Sequence, residues 1–400
     1  MNNNVQYTLP LVPEASARES ALAKIDVINL AQYERTRNAL SGRVSRLSPY
    51  LTHGVTDVPE VIARVASRTN MGWQDKFSFE LGWREYFYHV WRMQRDDIWR
   101  NQCPPPAEGV VGYAEEMPED IITATTGVAI IDAQIRVLYA AGYLHNHVRM
   151  WIASYVVHVR KVDWRVGARW MYGHLLDGDL ASNTLSWQWV AGTWTGKPYV
   201  FNAENVARFA PGINNAGTAI DRSYEALDLM ARHQPAVCEA PEKRAQLSPV
   251  VPPALVTVSQ IAELARELGL TVLDSLPADF AGALLHPWSL RRPAQTPAIG
   301  FVLPTFHLAF PWSEQRWRFV LKTMRECCES VWIVGDASSV TSGTISVSDT
   351  LNPHYIDFIE ACVARGATSI AAPRAFIDPE KLHRSFSSFW HLASKERFPK

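Results

Sequence analysis

Four short stretches of this chain hold residues whose types and spacing could do chemistry. Asp177-Gly178-Asp179-Leu180-Ala181-Ser182-Asn183 runs into Trp187-Gln188-Trp189. Two carboxylates and an amide in a tryptophan-rich, apolar stretch are costly to bury unless hydrogen-bonded. They can accept from a polar ligand or pair with an arginine, and they can equally form an ordinary capped turn. His145-Asn146-His147-Val148-Arg149-Met150 opens an apolar helix, and Arg149 is a candidate partner for Asp177 in a buried ion pair. The two histidines stand at i and i+2, on different faces of a helix, so no metal site is expected. Glu80-Leu81-Gly82-Trp83-Arg84-Glu85-Tyr86 puts Glu80 and Arg84 at i and i+4, with Trp83 able to share a face with one of them. The plain alternative there is a solvated salt bridge beside a core tryptophan. In Ser45-Arg46-Leu47-Ser48-Pro49-Tyr50, Ser48 reads as an N-cap followed by an N1 proline. A helix N-terminus with two nearby hydroxyls is a natural diphosphate seat, although many such segments only cap helices.

The surrounding pattern is helical. From residue 28 to about 211 apolar positions recur at three and four, as in 77–91, 128–138 and 148–159, while strand-like alternation is scarce. Pro104-Pro105-Pro106, Gly112 and the turn at Gly178 mark loops. We read residues 28–211 as an all-helical module, after a leader at 1–27 that packs on, or hangs off, the body. Residues 212–255, with Asn214-Asn215, Pro249, Pro252 and Pro253, read as a linker holding one helical patch near 224–232. The C-terminal region, 256–400, opens with a short helix at 259–268. Its apolar runs 298–303 and 331–334 alternate with helical stretches 313–327 and 353–365, and 368–372 closes a third strand. That alternation implies a small α/β domain, about 297–375, with a short parallel sheet and right-handed crossovers. No glycine-rich phosphate loop follows these strands, so no nucleotide is assigned to it. The expected fold class is mainly α, a helical module followed by this small α/β domain.

Composition narrows the function classes. A chain 47% hydrophobic and 20% charged is ordinary for a globular protein. Net charge is −1, so DNA binding requires a local basic patch rather than a global field. No apolar run of about 18 residues predicts a membrane span, and the first ten residues lack a signal-peptide pattern. Five scattered cysteines without a CxxC argue against zinc or iron–sulfur sites and fit a cytoplasmic protein. Of fifteen tryptophans, ten lie between Trp73 and Trp194. That crowding suits an aromatic helical core, a large planar ligand or a stacking surface.

In order and spacing, SRLSPYLxxG, ELxWREY, HNxxRM, DWR and DGDLAxN with WQW resemble the FAD-binding module of the DNA photolyase and cryptochrome family, over residues 33–209. The resemblance implies a bent FAD with its diphosphate on Ser45, Leu47 and Ser48 and with Tyr33 beside it. It places Arg84 and Arg149 on the cofactor side, Arg149 bridging to Asp177. Asp177 and Asp179 meet the ribose or the isoalloxazine edge, and Asn183 faces flavin N5. Trp187 is the implied flavin-proximal member of an electron relay and Trp164 the next; the third has no assignment, because the stretch after Trp99 is shorter than the family's. The repair site of cyclobutane-dimer photolyases falls on Glu80, Trp83, Asn146, Met150 and Trp189, with Glu80 bonding a flipped-out dimer and the two tryptophans walling it. Since (6-4) photolyases place a histidine at Asn146, the implied enzyme is a deoxyribodipyrimidine photolyase acting on cyclobutane dimers by light-driven electron transfer from reduced flavin. The alternative is a cryptochrome-like blue-light photoreceptor or redox flavoprotein without repair.

Four departures qualify the match. An α/β unit follows the module where the family has an N-terminal antenna domain, so no antenna chromophore is expected. His147 stands where the family often has a phosphate-binding arginine, Val44 replaces a frequent threonine, and the segment before Phe201-Asn202 lacks its arginine. Residues 33–208 hold 19 Lys/Arg against 18 Asp/Glu. Phosphate contacts supply much of the affinity for DNA, so the expected partner is dimer-containing single-stranded DNA rather than duplex, bound by a monomer.

Overall fold

Acidic and amide caps set where the helices begin. Asp57, Asp163, Asp179 and Asn202 each accept from a first-turn N–H and open the helices Val58–Ala66, Trp164–His174, Leu180–Ala191 and Ala203–Phe209. Gly142 and Gly192, at φ 60° and 78°, end Ala129–Ala141 and Leu180–Ala191 in the left-handed conformation that costs glycine least. The computed structural model describes residues 15–109, 112–238, 248–293, 296–334 and 344–394. Residues 1–14 of the expected leader and 239–247 of the expected linker lie outside these.

Helices Lys76–Gln94 and Asn146–Ser154 both pack on Leu180–Ala191, which is the centre of the helical module. Asn146–Ser154 runs straight into a π-helical turn, Tyr155–Val159, a widening often found at functional sites. Within the expected leader, helix Ala17–Asp26 buries Ala17, Ala21 and Ile25 and packs on Val58–Ala66.

The sheet differs from the reading of the sequence. Instead of three strands it has six among the described residues: β1 (Thr271–Leu273), β2 (Gly282–Leu285), β3 (Ala298–Val302), β4 (Ser330–Ile333), β5 (Ile345–Ser348) and β6 (Thr368–Ile370). It therefore begins well before residue 297. All pairings are parallel, in the order β1-β4-β3-β2-β5-β6. The missed strands are three or four residues long, too short for a periodicity; β5 alternates apolar residues with serine rather than forming an apolar run. Every residue of the central β2 is buried, as a strand covered on both faces requires.

The core does not respect the expected domain boundary. One apolar cluster runs from helix Ala17–Asp26 through Phe77, Leu81, Tyr86 and Trp91 to the sheet; a second lies inside the helical module around Trp151, Trp164 and Trp187. The carboxyl end of β2 docks on the module. His53 ring nitrogens lie 2.6 Å and 2.8 Å from the Pro287 and Leu176 carbonyls, and Arg291 pairs with Asp57 and Glu60. Gly54, at φ 68°, allows this approach, since a Cβ there would meet the Trp288 carbonyl at 2.4 Å.

After β6 the chain returns to the module. Asp378 accepts from Arg92 Nε at 2.7 Å and lies 2.8 Å from His89 Nδ1, while Arg374 pairs with Glu85. Helix Phe386–Ala393 then lies along Lys76–Gln94, with Trp390 over Gly82.

Candidate functional site

The turn Asp177-Gly178-Asp179 is buried and spoken for on both sides. Arg149 Nη2 donates to both Asp177 oxygens at 2.9 Å and 2.7 Å, and Arg149 Nε holds the Leu144 carbonyl at 3.0 Å. Asp179 caps the Ser182 N–H at 2.8 Å and accepts from the Tyr88 hydroxyl at 2.6 Å. Burial, reinforced by Asp179, holds the Tyr88 phenol well above its ordinary pKa, so it stays a donor. One turn further, Asn183 Nδ2 donates to the Ala168 carbonyl at 2.9 Å. This leaves the amide oxygen as its outward end, on a half-buried side chain.

Arg84 projects from near the middle of Lys76–Gln94 into the same region. Its guanidinium makes two long contacts, 3.4 Å each, to Thr52 Oγ1 and the Tyr88 hydroxyl, and lies 5.2 Å from the Tyr88 ring centre. Burial works to lower its pKa, but Tyr88, Asp179, Glu85 and Asp177 together hold it above the ordinary value. The salt bridge considered between Glu80 and Arg84 is not formed. Arg84 turns inward towards the aspartates, and Glu80 instead faces Arg37 Nε at 3.6 Å.

Helix Ser48–Thr52 corrects the expected cap by one position. Leu47 occupies the cap and Ser48 is the first helical residue, with Pro49 next. No side chain accepts from the first turn, so its N–H groups are available to an anion. Ser45 and Ser48 are half-buried, Leu47 is buried, and Arg46 sits at φ 52° with its guanidinium 5.8 Å from the Tyr143 ring centre. Arg149 approaches the same ring at 5.6 Å. Tyr33 packs edge-on against Phe77 at 5.2 Å.

This donor set fits a flavin dinucleotide. An uncapped helix start, two hydroxyls and the unpaired Arg84 suit a diphosphate, and the Asn183 amide oxygen and the paired aspartates suit a polar ring edge. Ser45, Ser48, Arg84, Arg149 and Asn183 are each half-buried rather than sealed in the core.

Of the five residues assigned to a lesion pocket, Trp189 belongs to Leu180–Ala191 and the other four project from the two helices packed on it. Glu80 keeps 42% of its side chain accessible, and loss of solvation raises its pKa against the pull of Arg37. Trp83 stacks on Phe386 with centroids 4.1 Å apart and planes at 11°. Asn146 is exposed at the start of its helix, with Met150 one turn later. Trp189 is 40% exposed and tilts against Tyr199 at 5.4 Å. Among the described residues no hydrogen bond or ring contact joins the five directly. Arg37 connects two of their segments, facing Glu80 and, after burial, acting to lower the His147 pKa.

Trp187 is buried over Gly167, where a Cβ would meet its ring at 2.4 Å. Trp164 lies three residues earlier on that helix, its Nε1 donating to Asn101 at 2.9 Å. Trp99 stacks on Trp164 with centroids 6.0 Å apart and planes at 6°, is half-buried, and has Arg169 at 4.9 Å. Sequence reading missed Trp99, Arg37 and Tyr88. Only Trp99 carried a signal: Arg165 of the DWR motif binds its carbonyl at 2.7 Å.

Comparison with known proteins finds one family over this region. The family described as the FAD-binding domain of DNA photolyase matches residues 77–260. A deoxyribodipyrimidine photo-lyase of Streptomyces griseus is 36% identical over 167 residues, 42% of this chain and 36% of the relative. A cryptochrome DASH of Idiomarina loihiensis is 32% identical over 166 residues, 40% of this chain and 37% of the relative. An archaeal photolyase structure from Sulfolobus tokodaii with two FAD molecules is 28% identical, covering 50% of this chain and 45% of that one, with a TM-score of 0.43. The chain thus spans little more than a third of the curated relatives' length.

Proposed function

Residues 77–260 match the FAD-binding domain of DNA photolyase, and we propose that this chain is a member of the DNA photolyase and cryptochrome family, a light-driven photolyase repairing cyclobutane pyrimidine dimers. The observation that carries this reading is the placement of Glu80: a solvent-accessible carboxyl one turn from Trp83 on the same helix. Loss of solvation pushes the Glu80 pKa up, and in its protonated form the carboxyl can donate to a flipped-out base carbonyl, which a carboxylate cannot.

Bound FAD, reduced and lit, supplies the single electron that opens the dimer and recovers it afterwards. The chain does the rest. Trp83 and Trp189 offer flat apolar walls to the extruded bases, and Asn146 and Met150 line the opening. Asn183, anchored by Ala168, presents a fixed amide oxygen, and Arg149 holds Asp177 so that the turn keeps one shape. Trp187, Trp164 and Trp99 form the path by which electrons enter from the surface, with Trp99 as its outer member.

The substrate is single-stranded DNA in preference to duplex, because the module is near neutral and Arg37, placed towards His147, is engaged by Glu80. No antenna chromophore is invoked. Doubly wound sheets hold ligands at their carboxyl edge, and beyond β2 that edge is packed by Pro287, Trp288 and Leu290 against residues 53 and 54. No helix among the described residues is long and apolar enough to cross a membrane.

A second reading, a blue-light photoreceptor or redox flavoprotein without repair, is favoured by Phe386. That ring belongs to the C-terminal helix and stacks on one of the tryptophans that repair uses. A repair assay decides between them: photoreduced protein under blue light restores dimer-containing single-stranded oligonucleotides if the first reading holds. Light-dependent self-association with dimers left intact rejects it for the second.

A further inference from the structure

Arg316 belongs to helix Glu314–Cys327 of the α/β unit, yet it is fully buried against the helical module. Its Nη1 donates to the Tyr172 carbonyl at 2.9 Å and its Nη2 to the Gly178 carbonyl at 2.5 Å. The guanidinium lies 3.8 Å from the Trp312 ring centre and 4.7 Å from that of Tyr172. Nε has no partner, and no carboxylate among the described residues forms an ion pair with Arg316. Gly178 is the residue that lets it in, since a Cβ there would meet Nη1 at 2.3 Å.

A buried cation without a counter-ion is expensive, and ring faces and carbonyl dipoles offset only part of that cost. Docking two units does not require it, because His53, Arg291 and the apolar core already join them. The arginine does reach the carbonyl of Gly178, the one residue between Asp177 and Asp179. Those aspartates are its nearest negative charges, opposing the effect of burial on its proton. Arg84, Arg149 and Arg316 thus set three positive charges around two negative ones, an excess that awaits an anionic ligand.

We propose that Arg316 is a positioning residue for the flavin site, locking the Asp177-Gly178-Asp179 turn from behind and giving the pocket a fixed positive charge. The α/β unit is thereby part of the cofactor site rather than a cover for it. This rests on the reading that the turn faces the cofactor, and not on DNA repair. A fixed cation favours the more negatively charged redox state of the bound cofactor and so raises its midpoint potential.

The test uses the full chain carrying Arg316→Met, Arg316→Gln or Arg316→Lys, beside wild type and Asp177→Asn. Three quantities are read: the FAD dissociation constant, the midpoint potential of bound FAD, and the melting temperature of the apoprotein. Arg316→Met is expected to bind FAD about tenfold more weakly and to lose about tenfold in its preference for reduced over oxidised cofactor, a fall of about 30 mV for two electrons. Arg316→Gln can keep a carbonyl contact without the charge and shows the fall in potential, while Arg316→Lys restores it. This pair decides the matter even if Arg316→Met does not fold. A lower melting temperature with unchanged affinity and potential in the glutamine and methionine variants overturns the proposal and leaves Arg316 as a fastener between units. If Asp177→Asn also leaves FAD affinity unchanged, it is the placement of the turn at the cofactor that fails.

Discussion

Asp177→Asn is the most direct perturbation of the cofactor site, because it removes a charge and almost no volume. Asp177 is 2% exposed and its partner Arg149 24% exposed. Severing a buried pair typically costs about 3–5 kcal/mol, much of it the penalty on the stranded charge. Arg149 is not fully stranded: it keeps the Leu144 carbonyl, a quarter of its solvent exposure and the Tyr143 ring. An asparagine oxygen can still accept one of its protons. The loss is therefore that of charge-assisted bonds becoming a neutral one, about 1.5–3 kcal/mol. At about 1.4 kcal/mol per decade, FAD binding weakens roughly ten- to hundredfold. Equilibrium titration, following the fluorescence of free flavin, measures this, and urea unfolding of the apoprotein measures the scaffold's share. In a double-mutant cycle, Arg149→Met costs less in the Asp177→Asn background than alone. The reasoning is refuted if FAD affinity stays within about twofold while apoprotein stability falls by the full amount.

Other perturbations read other parts of the structure. Gly82→Ala drives a methyl into the Trp390 ring. Overpacking of about 1–3 kcal/mol outweighs the roughly 1 kcal/mol gained in helix propensity, so the melting temperature falls and proteases cut between β6 and helix Phe386–Ala393 sooner. As a neutral imidazole His286 accepts the Trp288 N–H at Nδ1 and donates from Nε2 to the Ser348 carbonyl, and burial lowers its pKa to about 4. Above pH 6.5 it has no effect; as pH falls from 6.5 towards 4 the unfolded chain takes up a proton the folded one refuses, and stability drops by about 1.4 kcal/mol per pH unit. Near pH 5, His286→Gln lowers proton uptake on unfolding by about one, measured from urea midpoints against pH. Trp164→Phe is expected to abolish photoreduction of bound FAD by external donors, and Trp99→Phe to slow it severely, with FAD content unchanged in both; an unaltered rate in Trp99→Phe removes it from the path. Glu80→Gln, which keeps a donor and cannot ionise, flattens the alkaline decline in dimer repair that Glu80 confers, as single-turnover rates against pH will show.

Which parts of this were legible in the sequence follows from the range of the interactions. Motifs along one helix or one turn, such as Asp177 to Asn183, announce themselves because caps and tight turns demand particular residue types at fixed spacing. The helical module was legible for the same reason, its 3.6-residue period running through long segments. Short strands such as Thr271–Leu273 have no room for a period, and parallel pairing is fixed by neighbours distant in sequence. Glu80 took Arg37 rather than Arg84 because a long side chain chooses its partner by tertiary position, which helical spacing does not encode. Arg316 carried no local signal at all: an arginine in an amphipathic helix looks solvated until the surface opposite it is known.

The return of residues 374–393 to the Lys76–Gln94 helix has a kinetic corollary. That helix must wait for partners made almost three hundred residues later, so its outer face stays bare throughout most of synthesis. Contacts of such sequence separation slow folding, and the uncovered rings of Phe79, Trp83 and Tyr86 are the surface on which a nascent chain would stick to its neighbours. A ribosome-bound chain lacking its final segment is the species most in need of a chaperone.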